Sequence, residues 1–322
     1  MTALLARRLL QLAPTLVVTS LLMFFVLSLG PSPMAQLQEF GNLSAQDIQR
    51  LAAQYGWDQP KWKQYIDWLT HYLSGDWGQS VRTMQPAMSM IAERLPLTIT
   101  IAAVALLLSV GIGVPLGAWV AVRKGSKIDL ITTVLTLSLM AMPGFFLALV
   151  LQLFAVKLRS WTGGVVVYTS GIPDDGAHLL EWVQRLALPI LTLTLTHIAA
   201  WVRYQRGELL QVLGAEYIKC ARAKGLPEKI IFLRHAMRNA VLPIITLIAI
   251  DMGKLVAGAV IVESVFGLPG IGTLLLDSVN GHDTVVVLDL LMLVVVTMVL
   301  CNTLADLAYG ALDPRVRSGQ AG

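Results

Sequence analysis

The sequence predicts an all-α membrane protein with six transmembrane helices and both termini in the cytoplasm. Three observations predict it. Of 322 residues, 56% are apolar and 14% are charged, where soluble domains carry about 25% charged residues. The apolar residues gather in runs at about 9–29, 97–122, 130–156, 186–202, 241–262 and 285–309, each near the ~20 residues that cross a bilayer. Basic charge is concentrated on alternate loops. This composition excludes an ordinary soluble enzyme and a charge-rich disordered or nucleic-acid-binding chain. Two cysteines, Cys220 and Cys301, exclude a disulfide scaffold.

The predicted organisation has three parts. Residues 1–29 form a cytoplasmic tip and the first span. Residues 30–96 form an extracytoplasmic loop with short helices. Residues 97–322 form a five-helix core with a cytoplasmic loop at about 203–240.

The first run follows Arg7-Arg8 and could be a signal peptide. It is longer than the ~7–15 apolar residues of that class and no A-x-A-like site follows it, so it reads as an uncleaved anchor. Loop 30–96 carries five basic and six acidic residues, loop 157–185 three of each, and loop 263–284 only Glu263, Asp277 and Asp283. Loop 123–129 has Arg123, Lys124 and Lys127 against Asp129, and loop 203–240 has eight basic against three acidic residues. The tail adds Arg315 and Arg317. The basic segments share one side of a six-span chain, and the positive-inside rule makes that side cytoplasmic.

Within loop 30–96, Ser44 is placed to cap a helix through Ile48, Leu51, Ala52 and Tyr55 that ends at Gly56. Residues 61–73 put Trp62, Tyr65, Ile66, Leu69 and Leu73 on one face. Such a helix lies on the outer membrane surface, covers the mouth of a pathway, or is a structural cap. Pro14, Pro115 and Pro143, with Gly111, Gly113, Gly117 and Gly144, mark kinks or close helix packing. Met142 and Pro143 are pathway candidates if the kink lines a channel. Loop 157–185 reads as irregular, and Phe266–Gly272 as a tight turn or re-entrant segment.

Asp251 and Lys254 share a face of span five. They read either as a structural pair or as part of a polar pathway. Asp289 and Asp306 near the ends of span six are expected to face water. His197 reads as a lone packed histidine. His235 has no second ligand at metal spacing, and no metal site is expected.

The inner loop reads GELLQVLGAEYIKCARAKGLPEKIIFLRHAMRNAVLP. Two short helices meeting at Gly225-Leu226-Pro227 would project into the cytoplasm as a docking knob or a lipid-binding basic loop. The runs Glu216–Leu226 and Arg234–Pro243 resemble the coupling loop of binding-protein-dependent ABC transporter permeases. The match is to the oligopeptide/dipeptide/nickel branch, and to its oligopeptide permease B-type subunit. Arg7-Arg8-Leu9-Leu10 through Pro14-Thr15, Val262–Phe266 with Pro269–Gly272, and Leu312–Arg317 carry the same resemblance in order. Two departures stand out. Lys219-Cys220-Ala221 replaces the wider superfamily's Glu-Ala-Ala, and Gly30-Pro31-Ser32-Pro33 replaces a Gly-Asp-Pro.

The resemblance implies an ABC importer type I permease architecture and no catalytic residue in this chain. It implies a second homologous permease subunit, two cytoplasmic ATPases that bind ATP and Mg²⁺, an extracytoplasmic binding protein, surrounding lipid, and a bacterial inner or plasma membrane. The sequence has no GxxxxGK[ST] phosphate loop of its own. Carried onto this chain, the ATPase-coupling residues are Glu216, Tyr217, Lys219, Ala221, Arg222, Ala223, Lys224, Gly225, Leu226 and His235, with Gly225 at a bend where a side chain would crowd the ATPase groove. The expected cargo is peptides; metal chelates such as nickel complexes are the rival within the class. An ATP-independent secondary transporter is the rival outside it, although no inverted repeat is evident. An intramembrane protease would need paired Asp, Ser/His or HExxH residues within spans; no HExxH occurs, and Asp251 and Asp289 are not in matching contexts.

Overall fold

Apolar runs too long for a soluble helix, interrupted by few breakers, become long helices. The computed structural model describes residues 2–40, 44–174 and 176–312, and among these no β-strand forms. The helices are α1 Thr2–Leu27, α2 Pro33–Phe40, α3 Ala45–Gln54, α4 Lys61–Ser74, α5 Ala87–Val122, α6 Lys127–Ala141, α7 Gly144–Thr162, α8 Leu179–Gly214, α9 Glu216–Ala223, α10 Glu228–Ile230, α11 Arg238–Phe266, α12 Ile271–Asn280 and α13 Thr284–Leu312. A π-helix, Ile231–Met237, joins α10 to α11. Among the described residues, α5, α7, α8 and the 284–305 part of α13 are each long and apolar enough to cross a bilayer. The end of α11 with α12 forms one further broken candidate, and the apolar part of α1 at Leu12–Leu27 is shorter.

The chain divides into two compact units. The first comprises residues 1–98 and 269–299, and the second 99–268 and 300–322.

In the first unit the expected cap is present. Ser44 Oγ accepts the Asp47 N–H at 3.2 Å and starts α3, which closes at Tyr55 before Gly56 at φ +66°. Helix α4 packs on α1: Tyr65 and Ser20 hydroxyls meet at 2.9 Å, and Phe24 stands edge-on to Tyr65 with ring centroids 5.5 Å apart. The segment before α5 is tied to the start of α13, because Ser80 Oγ donates to Asp283 and the Val81 N–H reaches the same carboxylate at 3.3 Å. Ala87, Ile91, Ile271, Leu274, Val286 and Leu290 form a buried apolar cluster.

In the second unit α8 packs against α6, α7 and α11. Helix α5 reaches α8 through two glycines. A Cβ on Gly113 would stand 2.7 Å from Trp201 Cβ, and one on Gly117 would collide with the Val202 carbonyl and lie 2.9 Å from Gln205 Cβ. Of the four glycines read as packing or kink positions, these two make the close approach; nothing stands near Gly111.

Several boundaries differ from those expected. Helix α5 begins at Ala87, and α8 continues to Gly214 as a 36-residue helix about 54 Å long. No glycine or proline follows residue 202 until the chain reaches Gly207 and Gly214, so no breaker ends the helix where the apolar run stops. The third predicted span is two helices. Met142 is extended at φ −84°, ψ 125°, because a residue before proline is driven from the α region. Pro143 then caps α7. Within loop 157–185, α7 runs on to Thr162 and α8 begins at Leu179. Within Phe266–Gly272 the chain turns over Gly267–Gly270, with Gly267 at φ +59°, and enters α12 at Ile271.

Candidate functional site

The candidate site begins where α8 leaves its helix at Gly214. Ala215 is extended (φ −70°, ψ 148°), and Glu216 opens α9 with an acidic side chain in the first turn, where the helix dipole favours it. The short helix is held by one face. Ile218 and Ala221 are buried with Ala118, Ala121, Leu209, Ile231, Ala236 and Ala240, and burying an isoleucine is worth about 1.5–3 kcal/mol. Ala221 therefore packs inward. Glu216, Tyr217, Lys219, Arg222, Ala223, Lys224, Gly225 and Leu226 are exposed, and His235 is half-buried.

The end of α9 is a Schellman motif. The Gly225 N–H donates to the Arg222 carbonyl at 2.9 Å and the Leu226 N–H to the Ala221 carbonyl at 3.3 Å. Gly225 sits at φ +74°, the left-handed region that side chains disfavour. No atom of this chain lies within 4 Å of the place a Cβ would take. Glycine is required here by the backbone itself, whatever docks outside. Pro227 then stops any continuation.

Side chains fix the turn's outer surface. Arg222 Nε donates to Glu228 Oε1 at 2.8 Å across the turn, and that bond holds the Glu228 carboxyl below its ordinary pKa. Lys219 Nζ donates to Glu216 Oε1 at 2.8 Å. Asn239 Nδ2 donates to Tyr217 Oη at 2.9 Å and to the His235 carbonyl at 3.1 Å. The π-helix carries Arg234 and His235. Such wide turns are rare and concentrate at functional sites. The face so built is basic with apolar members, Leu226, Ile230 and Leu233, exposed among the charges.

One stabilising element of this region was not evident from sequence. Arg206 on α8 grips Asp129 at the start of α6 with two bonds, Nε to Oδ1 at 2.7 Å and Nη2 to Oδ2 at 3.0 Å. Asp129 also accepts the Gly125 N–H at 2.9 Å. The Arg206 hydrogen bond is the main cause of a carboxyl pKa held below the usual range. Ser126-x-x-Asp129 ahead of an apolar run is a helix-start pattern that flags Asp129. Nothing local flags its partner 77 residues away.

Met142 and Pro143 form the break between α6 and α7. Asp251 faces His197, whose Nδ1 lies 3.8 Å from Asp251 Oδ2, so His197 is not alone. The Lys254 and Asp306 side chains and the 313–317 signature lie outside the described residues. Asp289 does not face water. It is fully buried, with Trp68 Nε1 donating to Oδ1 at 3.3 Å. The α4 that covers it was not expected to reach span six. Among the described residues, no group of three or more His, Cys, Asp or Glu side chains is arranged to hold a metal.

Comparison with known proteins bears on this arrangement. Residues 113–318 match the family model "Binding-protein-dependent transport system inner membrane component", and residues 1–102 match the model of that family's N-terminal region. The oligopeptide transport system permease protein AppB of Bacillus subtilis is 32% identical over 98% of this chain and 99% of its own length. The dipeptide transport system permease protein DppB of Escherichia coli K12 is 31% identical, with 97% of each covered. The oligopeptide transport system permease protein OppB of Mycobacterium bovis is 34% identical over 98% of this chain and 99% of its own. The inward-facing MetNI methionine ABC transporter shares the fold, with a TM-score of 0.54 at 18% identity over 71% of this chain and 98% of that one.

Proposed function

Because this chain belongs to the family of binding-protein-dependent transport system inner membrane components, we propose that it is the membrane subunit of an ATP-driven importer that carries di- or oligopeptides into the cytoplasm. Members of this family are pore-forming permease subunits, and ATP hydrolysis belongs to separate subunits. Membership also removes the ATP-independent transporter as a rival.

The observation that carries the peptide assignment is the end-to-end match to permeases named for oligopeptide and dipeptide transport, three of them at 31–34% identity. In this reading six spans place both termini in the cytoplasm of a bacterium, in its inner or plasma membrane. A second, homologous permease completes the pathway. Two ATPases, holding ATP and Mg²⁺, dock on the exposed turn at 216–235. A binding protein delivers peptide from outside. ATP binding closes the ATPases against the turn. The turn is anchored through Ile218 and Ala221 to α5, α8 and α11, so its displacement is passed to those helices. Asp251 and His197, between α8 and α11, offer polar groups to a zwitterionic cargo.

The test is purification with an affinity tag on this chain, identification of co-purifying subunits by mass spectrometry, and reconstitution into proteoliposomes with the binding protein. We expect a second permease and ATPases, and ATP-dependent uptake of labelled peptides. Uptake of a nickel chelate in place of peptides would overturn the substrate. Repeated purification of the chain alone would overturn the docking role of 216–235.

A further inference from the structure

Helix α4 carries two apolar faces, and only one is covered. Tyr65, Trp68 and Tyr72, at i, i+3 and i+7, form a ring-on-ring chain with Phe24 of α1 and Trp77: Phe24–Tyr65 centroids lie 5.5 Å apart, Trp68–Tyr72 5.5 Å and Tyr72–Trp77 4.7 Å. The adjoining stripe, Trp62, Ile66, Leu69 and Leu73 at i, i+4, i+7 and i+11, is open except at the half-buried Leu69. Trp62 is 62% exposed, Ile66 48% and Leu73 77%. Beyond it lies a polar face with Lys63, Asp67, Thr70 and His71.

The contact with α1 fixes what surrounds that stripe. Ser20 and Phe24, which α4 touches, lie inside the apolar run 9–29. At 1.5 Å per residue they sit about 10 and 4 Å below the end of α1 at Leu27, against a hydrocarbon half-thickness of about 15 Å. A tyrosine ring spans part of that depth, so α4 lies at the level of the acyl–headgroup boundary. On α1 itself, Leu21, Leu22, Phe25 and Val26 at the same level are exposed. A helix with a polar face, an apolar face and an aromatic at its edge is the form that lies in this boundary.

We propose that α4 is an interfacial helix whose Trp62–Ile66–Leu73 stripe is immersed in the lipid leaflet beside α1. The lipid completes the apolar environment that protein supplies on the other flank. The helix then sets the height of the 30–86 segment against the membrane. This rests on the membrane-spanning reading of α1 and is independent of the cargo.

The experiment is site-directed spin labelling of the assembled transporter in lipid nanodiscs. Trp62→Cys, Ile66→Cys and Leu73→Cys are made singly in a background lacking Cys220 and Cys301, with Lys63→Cys and Thr70→Cys as polar-face controls. Collision with oxygen, which partitions into lipid, is compared with collision with a water-soluble nickel chelate. We expect the oxygen-to-nickel ratio at 62, 66 and 73 to exceed that at 63 and 70 several-fold. Equal ratios would place the stripe in water and overturn the proposal. Exclusion of both reagents would place it against a partner protein and overturn it equally. Three separate positions guard against one variant misfolding. Peptide uptake by the same variants reconstituted into proteoliposomes separates failure here from failure of the transport reading.

Discussion

The chain contains Gly-Leu-Pro twice, at 225–227 and at 267–269, and folds it locally the same way. Each glycine is left-handed, at φ +74° and +59°. Each ends a helix with the same pair of bonds: Gly225 to Arg222 and Leu226 to Ala221, Gly267 to Ser264 and Leu268 to Glu263. Their surroundings are opposite. Leu226 is 37% exposed and its neighbours are charged, whereas Leu268 is 1% exposed. Phe266 before the second turn is buried, with its carbonyl accepting the Gly171 N–H at 2.9 Å. Gln152 Nε2 fixes the Val265 carbonyl at 3.1 Å. Three residues determine a turn; they do not determine whether the turn is a surface for a partner or part of the interior.

The leucines give the largest expected contrast. Leu268→Ala removes a buried side chain and should cost about 2–5 kcal/mol, seen as a lower melting temperature of the detergent-solubilised complex. Leu226→Ala should stay within about 0.5 kcal/mol. Equal losses would mean the two turns are not differently buried in the assembly.

Next is the base from which the first turn projects. Breaking a fully buried ion pair costs about 3–5 kcal/mol; with the Arg206 side chain 31% exposed, we expect roughly 2 kcal/mol for Asp129→Asn. The folded carboxyl is held below its unfolded value by Arg206. Its contribution is therefore present above about pH 4 and is lost as pH falls through the folded value. The wild-type advantage over Asp129→Asn in thermal melts should persist from neutral pH down to about pH 5 and shrink below about pH 4.

The glycines sharpen the comparison further. A β-branched residue in the left-handed region costs about 1–2 kcal/mol, so Gly225→Val and Gly267→Val should strain the two turns alike. Their readouts should differ. Gly267→Val should lower the yield of folded complex. Gly225→Val should assemble, yet lose peptide-stimulated ATP hydrolysis about tenfold, the size of a 1.4 kcal/mol penalty on the docked state. Normal coupled transport by Gly225→Val would remove the turn from the coupling path. The smallest effect is expected from Arg222→Gln, which breaks the exposed pair with Glu228. Melting should not change measurably, because exposed pairs contribute little, while ATPase stimulation falls. A fall in stability instead would make Arg222 a structural residue.

Sequence resolved features carried by near neighbours. The Ser44 cap, the Gly56 stop, the bend at Gly225 and the face of α4 all depend on residues within a few positions, and all were legible. The ends of α5 and α8 were not. Hydropathy marks where the chain is apolar, whereas a helix continues until its backbone bonds or a breaker stop it. The break at Met142 was visible as a Pro-Gly signal, though not whether the helix bends or ends. The π-helix at Ile231–Met237 left no sequence signal that we recognise.

What the sequence by itself determined is therefore the class of the molecule and its local punctuation: apolar runs that must leave water, and turns whose glycine conformations are set by bonds spanning five residues. Tertiary structure alone decided which polar groups meet. Arg206 finds Asp129 across 77 residues and Trp68 finds Asp289 across 221. A water-facing aspartate in sequence became a buried one because an amphipathic helix far upstream lies over it. The physical reason is that turn geometry is a property of adjacent dihedrals, while burial depends on which distant element arrives, and that is settled by packing summed over the whole unit.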